Sequence, residues 1–153
     1  MIWPPDSPWA PWWRTNKETA AAICTLARIS HHDTVYDLGC GDGEVLMLAG
    51  KKYGAKGVGI EVDPLRFLIS LIRVKMNGLG HNVVIKRKNL FEENVSNASV
   101  VVVYLVPKTL ARLKPKFLKE LKKGTRIVSF RYEIDLPLAK IDKKNNLHLY
   151  IIG

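Results

Sequence analysis

The apolar positions of the chain fall into two rhythms that alternate along its length. Short β-branched and apolar runs at Thr34 to Leu38, Lys56 to Val62, Asn82 to Lys86, Ser99 to Val106 and Arg126 to Arg131 predict buried strands. Between them the apolar spacing is helical. Thr15-Asn16-Lys17-Glu18 has the form of a capping box, with the Thr15 hydroxyl accepting from the Glu18 N–H, and opens a helix that ends near Ser30. Glu44 to Tyr53 predicts a second helix stopped by Gly54. Asp63-Pro64 opens a third, running to Asn77-Gly78, in which Leu65, Leu68, Leu71 or Ile72, and Met76 keep helical spacing. Leu110, Leu113, Phe117, Leu118 and Leu121 are also spaced as in a helix, but Pro115 among them predicts two short helices. Leu138 to Ile141 and Leu147 to Ile152, joined by Asp142-Lys143-Lys144-Asn145-Asn146, predict a closing hairpin.

Strand and helix in alternation, followed by a hairpin, predict an α/β domain of Rossmann-like type, its sheet mainly parallel with an antiparallel strand added late. Such a sheet binds ligands at the carboxyl ends of its central strands. The first thirteen residues hold all four tryptophans and four of the eight prolines, so they predict an extended arm. The chain then divides into an arm, residues 1–14, and one domain, residues 15–153. At 153 residues a single domain buries roughly 70% of the surface its unfolded chain exposes.

Composition adds exclusions. Two cysteines, Cys24 and Cys40, form neither a disulfide framework nor a zinc pattern, which fits a reducing, cytoplasmic setting. The apolar run Val100 to Val106 is far too short to span a bilayer. Charge is unevenly placed. The chain carries 24 Lys and Arg against 14 Asp and Glu, a formal charge of +10. Asp37, Asp42, Glu44, Glu61 and Asp63 form an acidic island, while residues 64–134 carry most of the basic excess. That excess suits an anionic partner: a membrane surface, which would make the protein membrane-peripheral, an acidic protein or RNA.

The chemistry concentrates where the first strand runs into Gly39-Cys40-Gly41-Asp42-Gly43 and a helix. Three glycines allow a tight turn and a close ligand approach. The G-x-G-x-G spacing and the flanking acids Asp37, Asp42 and Glu44 suit a cation better than a pyrophosphate. Glu61 ends the second strand, twenty residues after Gly41, where a carboxylate can accept from both hydroxyls of a ribose. A ligand with a ribose, an adenine and positive charge satisfies both facts, and S-adenosyl-L-methionine has all three.

With these motifs the chain resembles the class I, seven-stranded S-adenosylmethionine-dependent methyltransferases. It resembles in particular the small FAM173-type protein-lysine methyltransferases, through Ala10 to Thr15, Tyr36 to Gly43, Lys88 to Phe91 with Ala98 to Pro107, and Leu113 to Lys116 with Gly124 to Ser129. The resemblance implies a seven-stranded methyltransferase domain over residues 15–153. It implies that Asp37, Gly39, Cys40, Gly41, Asp42 and Gly43 surround the methionine part of the cofactor. Glu61 would hold the ribose, with Val62 against the adenine and Asn89 and Leu90 at its edge. Thr15 and the aromatic pair Trp12-Trp13 would close over it.

Methyl transfer is an in-line displacement at an activated sulfonium, so alignment and exclusion of water dominate and a general base is optional. Tyr104, at the end of the valine-rich strand, is the candidate wall of a lysine channel. The leading expectation is a protein-lysine N-methyltransferase. An RNA methyltransferase is the alternative, because Lys86-Arg87-Lys88 and the lysines from 114 to 123 could track phosphates. A non-catalytic cofactor-binding module is disfavoured by the intact loop and Glu61. No metal ligand set is expected.

Overall fold

The computed structural model describes residues 15–153, so the arm and its Trp12-Trp13 pair lie outside the described residues. Eleven elements follow in the order α1 (Lys17–Leu26), β1 (Thr34–Leu38), α2 (Glu44–Tyr53), β2 (Lys56–Ile60), α3 (Pro64–Met76), β3 (Val83–Lys86), β4 (Val100–Val103), α4 (Pro107–Glu120), β5 (Arg126–Phe130), β6 (Leu138–Asp142) and β7 (Leu147–Ile151). They form one seven-stranded sheet in the order β3-β2-β1-β4-β5-β7-β6. The first five strands are parallel, and β7 runs antiparallel to both β5 and β6. The chain leaves β1 toward one edge through β2 and β3, then returns to β4 on the other side of β1. The order therefore reverses between β1 and β4, and a crevice opens at their carboxyl ends.

Two apolar layers sandwich the sheet. On one face α1 and α2 pack Ile23, Leu46 and Ala49 onto Val35, Val100, Val102 and Val128. On the other, α4 packs Leu110, Leu113 and Phe117 onto Leu38, Val101, Val103 and Ile127. All four valines of β4 are buried because both of its faces are covered. Beneath the sheet, Asp33 accepts from the Ser99 hydroxyl (2.8 Å), from the Ser30 N–H (2.8 Å) and from the Arg126 guanidinium. Arg126 also donates to the Ala27 carbonyl (2.6 Å), so one ion pair ties the end of α1 to β4 and β5. Among the described residues no helix is long and apolar enough to cross a membrane.

Two local expectations are corrected. The cap of α1 is Asn16, whose side chain accepts from the Thr19 N–H at 2.7 Å, one position later than the predicted capping box. Thr15 therefore does not cap the helix. The two helices expected around Pro115 are a single one. Its buried residues Leu110, Leu113 and Phe117 are each worth about 1.5–3 kcal/mol, which together exceeds the roughly 3 kcal/mol of an interior proline. Pro115 and Ala111, whose carbonyl loses its partner, both sit on the exposed side, where water can take the bond.

The predicted spacing of α3 holds, and packing sets the direction in which it faces. Leu65, Leu68, Ile72 and Met76 keep helical spacing but face outward, 46–80% exposed. The face turned to the sheet carries Phe67, Ser70, Leu71 and Val74 instead.

Candidate functional site

The glycine turn sits at the reversal point. Gly39, Gly41 and Gly43 all have positive φ (79°, 57° and 81°), a conformation that costs a side chain dearly, and so the chain turns within five residues from β1 into α2. Gly39 lies against Leu105, since a Cβ there would be 3.6 Å from its side chain. This contact places the end of β4 beside the turn.

Glu61 organises the loop from β2. Its Oε1 accepts from the Gly41 N–H and its Oε2 from the Asp63 N–H, both at 3.0 Å. Burial raises its carboxyl, partly offset by those two N–H groups and by Arg66. Asp37, at the penultimate position of β1, is buried beside it. Burial, then the Glu61 and Asp42 carboxylates, push its carboxyl up to about 7. Two acids thus share the recess at the strand ends, Glu61 eased by its two N–H donors and Arg66, and Asp37 held toward its neutral form.

The other two acids of the island behave differently. Arg73 of α3 reaches Asp42 at 3.3 Å and Glu44 at 2.8 Å, and donates to the Asp42 carbonyl at 2.9 Å. Asp42 and Glu44 are therefore both engaged by one guanidinium. Sequence reasoning missed Arg73. The signal was the polar spacing of Ser70, Arg73 and Asn77 on α3, a stripe set against its apolar one.

Cys40 is buried, with its thiol raised well above the usual range chiefly by burial and then by Asp37 and Glu61. It is a space-filler: a Cβ at Gly59 would meet its sulfur at 2.8 Å.

The remaining predicted positions line the same edge of the sheet. Val62 is half exposed just past β2. Asn89 is exposed, and its Oδ1 accepts from the Phe91 N–H at 2.9 Å, which leaves the amide NH2 to donate outward. Leu90 packs partly on the α4 side of the core. Thr15 stands at the start of α1, half-buried.

Tyr104 directly follows β4, and its ring packs on Phe130 with centroids 4.4 Å apart and planes tilted by 56°. Burial raises its hydroxyl, and the hydrogen bond and charge of Arg131 pull it back. Arg131 follows β5 with a φ of 72°, unusual for a residue with a side chain, while its N–H donates to the Asn146 carbonyl at 2.8 Å.

The basic triplet expected to track RNA is largely committed elsewhere. Lys86 and Lys88 both pair with the buried Glu93, at 2.9 and 3.3 Å.

A parallel sheet with this strand order, a glycine turn at its reversal point and a buried acid ending the next strand define a class I S-adenosylmethionine-dependent methyltransferase. Solved structures agree. An RNA methyltransferase from Salinibacter ruber, in complex with S-adenosyl-L-homocysteine, superposes with a TM-score of 0.82 at 31% identity, covering 92% of this chain and 94% of that one. A methyltransferase from Thiobacillus denitrificans shares the fold at a TM-score of 0.65 and 19% identity, covering 90% and 59%. Residues 37–137 match the ANTKMT methyltransferase domain, and the chain belongs to that family. It is 36% identical to a protein-lysine N-methyltransferase of Saccharolobus islandicus over all of this chain and 98% of that protein. It is 26% identical to an ATP synthase lysine N-methyltransferase of Caenorhabditis elegans, covering 78% of this chain and 62% of that protein.

The cofactor is S-adenosyl-L-methionine, and the recess fits it. A sulfonium and an ammonium relieve the crowded carboxylates, and Glu61 retains lone pairs for hydroxyl donors.

Proposed function

We propose that this enzyme transfers a methyl group to the side-chain amine of a lysine in a protein substrate. The arrangement of Tyr104 carries the reading: a half-buried ring just past the end of β4, next in the chain to the Leu105 that lies against Gly39, and braced by Phe130 and Arg131. Such a wall aligns a long, narrow amine without a general base. A lysine amine normally holds its proton to a pKa of about 10.4 and reacts only when neutral. Entry into a half-buried passage beside the Arg131 cation disfavours the ammonium and drives the proton to water before transfer. The cofactor supplies the electrophilic methyl on sulfur. Asp37 and the loop Gly39 to Gly43 would flank its methionine part, Glu61 its ribose, and Val62, Asn89 and Leu90 its adenine, with Thr15 closing from the start of α1. The names of the Saccharolobus and Caenorhabditis relatives support the lysine reading.

RNA is the second reading, favoured by the name of the Salinibacter protein. Incubation with tritiated S-adenosylmethionine and a whole-cell extract separates the two. Label should vanish with protease and appear as methyl-lysine on hydrolysis. Label lost to nuclease instead would exclude the lysine assignment.

A further inference from the structure

The basic excess of residues 64–134 is not spread over the surface. Arg73 serves the glycine turn, Lys86 and Lys88 share Glu93, Lys114 meets Asp135 at 3.0 Å, Lys116 meets Glu120 at 2.8 Å, and Arg126 holds Asp33. Five of the others gather on the outer face of α4 and the turn after it. With 100° between successive residues, Lys108, Arg112 and Lys119 fall in one narrow arc opposite the buried Leu110, Leu113 and Phe117, and Lys122 and Lys123 follow in the turn after the helix. All five are exposed, and none forms an ion pair among the described residues. Arg112 lies flat on the Phe91 ring at 4.1 Å, which fixes its position while leaving its charge unpaired. The row starts four residues after Tyr104, at the sheet edge that holds the glycine turn, and runs down α4 for about 21 Å.

Resting on the lysine reading, we propose that this row is a docking rail for an acidic stretch of the substrate polypeptide flanking the target lysine. An extended peptide covers 21 Å in about six residues, so the recognised Asp and Glu residues lie within roughly eight positions of that lysine, on one side of it. Charge complementarity favours a polypeptide over the other polyanions. Single-stranded RNA is gripped by aromatic rings set among the cations. Here every Phe and Tyr among the described residues is buried or half-buried, and the ring nearest the rail lies beneath Arg112. A bilayer would need apolar side chains on the same face. The exposed leucines of α3 lie on the opposite layer of the sheet, and the exposed Leu118 of α4 stands about 100° round the helix from the row.

The test uses the full chain and two fluorescent lysine peptides, identical except that four glutamates four to eight residues from the lysine are replaced by glutamine. Methylation kinetics and anisotropy are read for wild type and for the triple variant Lys119→Gln, Lys122→Gln, Lys123→Gln. Its unchanged melting temperature and cofactor affinity would show that it folds. The acidic peptide should have a roughly tenfold lower KM and Kd with wild type, at similar kcat. That preference should fade between low and 0.3 M salt and disappear in the variant, leaving the glutamine peptide's rate unchanged. Equal Kd for the two peptides, or a preference that survives in the variant, overturns the rail. So does rail-dependent binding of an RNA oligonucleotide or of phosphatidylserine vesicles that is tighter than that of the acidic peptide. Failure to methylate either peptide counts against the lysine reading alone, since anisotropy still reports the docking.

Discussion

The Gly41 N–H donates to Glu61 across twenty residues of sequence, at 3.0 Å, and the second oxygen of the same carboxylate takes the Asp63 N–H. One side chain thus fixes the glycine turn to the end of β2. The acid read from the sequence as a ribose holder is also the brace that shapes the loop.

Replacing Glu61 with alanine therefore has two effects. Two backbone donors lose their acceptor in a mostly buried position, which costs about 1–3 kcal/mol of stability. Cofactor affinity should fall at least a hundredfold, because both the hydroxyl contacts and the loop geometry are lost. Glu61→Gln keeps one acceptor oxygen but turns an NH2 toward the other backbone donor, so it should melt between the alanine variant and wild type and bind cofactor weakly. Calorimetric affinity unchanged in both variants would place the ribose elsewhere.

Asp37 predicts a pH dependence. Its folded pKa of about 7 lies above the ordinary carboxylate value, so the empty protein favours the neutral acid. That contribution is fully present below about pH 4 and is lost as pH rises toward 7. A cationic cofactor favours the ionised form. Binding near pH 6.5 should therefore release a proton, seen as a calorimetric enthalpy that varies with buffer. Affinity should rise from pH 6 to 8, more for S-adenosylmethionine than for S-adenosylhomocysteine, whose sulfur is neutral. Asp37→Asn should flatten the slope; the same slope in that variant would assign the proton to another group.

Arg73 should behave as a positioning residue. Arg73→Met leaves the 5%-exposed Asp42 side chain without its cation and frees the first turn of α2. A stability loss of about 2–4 kcal/mol follows, with cofactor binding weakened roughly tenfold because the loop is no longer clamped. Arg73→Lys should restore little, since one ammonium cannot serve two carboxylates and a carbonyl in a fixed fork. Thermal unfolding with calorimetry decides it, and full recovery by lysine would reduce the role to charge alone.

How far the sequence reached follows from what each element depends on. The strands and the glycine turn were legible because buried parallel strands and positive-φ turns leave local residue signatures, as in Val100 to Val103 and Gly39 to Gly43. The outward stripe of α3 was not. Periodicity says that Leu65, Leu68, Ile72 and Met76 share a face, and only the packed helix says which way that face points. Arg73 was missed for the same reason, its acids being about thirty residues away. Pro115 misled in the opposite direction, a local penalty outweighed by tertiary burial.

That balance is measurable. Pro115→Ala restores a backbone donor toward the Ala111 carbonyl on the exposed side of α4. The interior-proline penalty is about 3 kcal/mol, and proline's stiffening of the unfolded chain offsets about 0.4–1 kcal/mol of it. A net gain of about 2–2.6 kcal/mol is expected, read as a higher urea midpoint with the same m-value. A loss would mean that the proline bends α4 to fit the sheet.

The underside of the sheet, far from the glycine turn, carries a pH dependence of its own. Burial alone would raise the Asp33 carboxyl, but the Ser30 N–H, the Ser99 hydroxyl and Arg126 together hold it below its ordinary value. A depressed folded pKa stabilises the protein above the unfolded value near 4, and that contribution disappears as pH falls through the folded one. Asp33→Asn should cost about 2–3 kcal/mol at pH 7, because Arg126 then faces a neutral amide beneath β5. As pH falls through the folded pKa the variant and the wild type should converge. Arg126→Met should show the same convergence, since it removes the other half of one interaction, and the double variant should lose less than the sum of the two singles. A constant gap at every pH would mean that Asp33 acts through shape and hydrogen bonding rather than charge. Cofactor affinity should stay unchanged throughout, which separates this clamp at the amino ends of the strands from the acidic recess at their carboxyl ends.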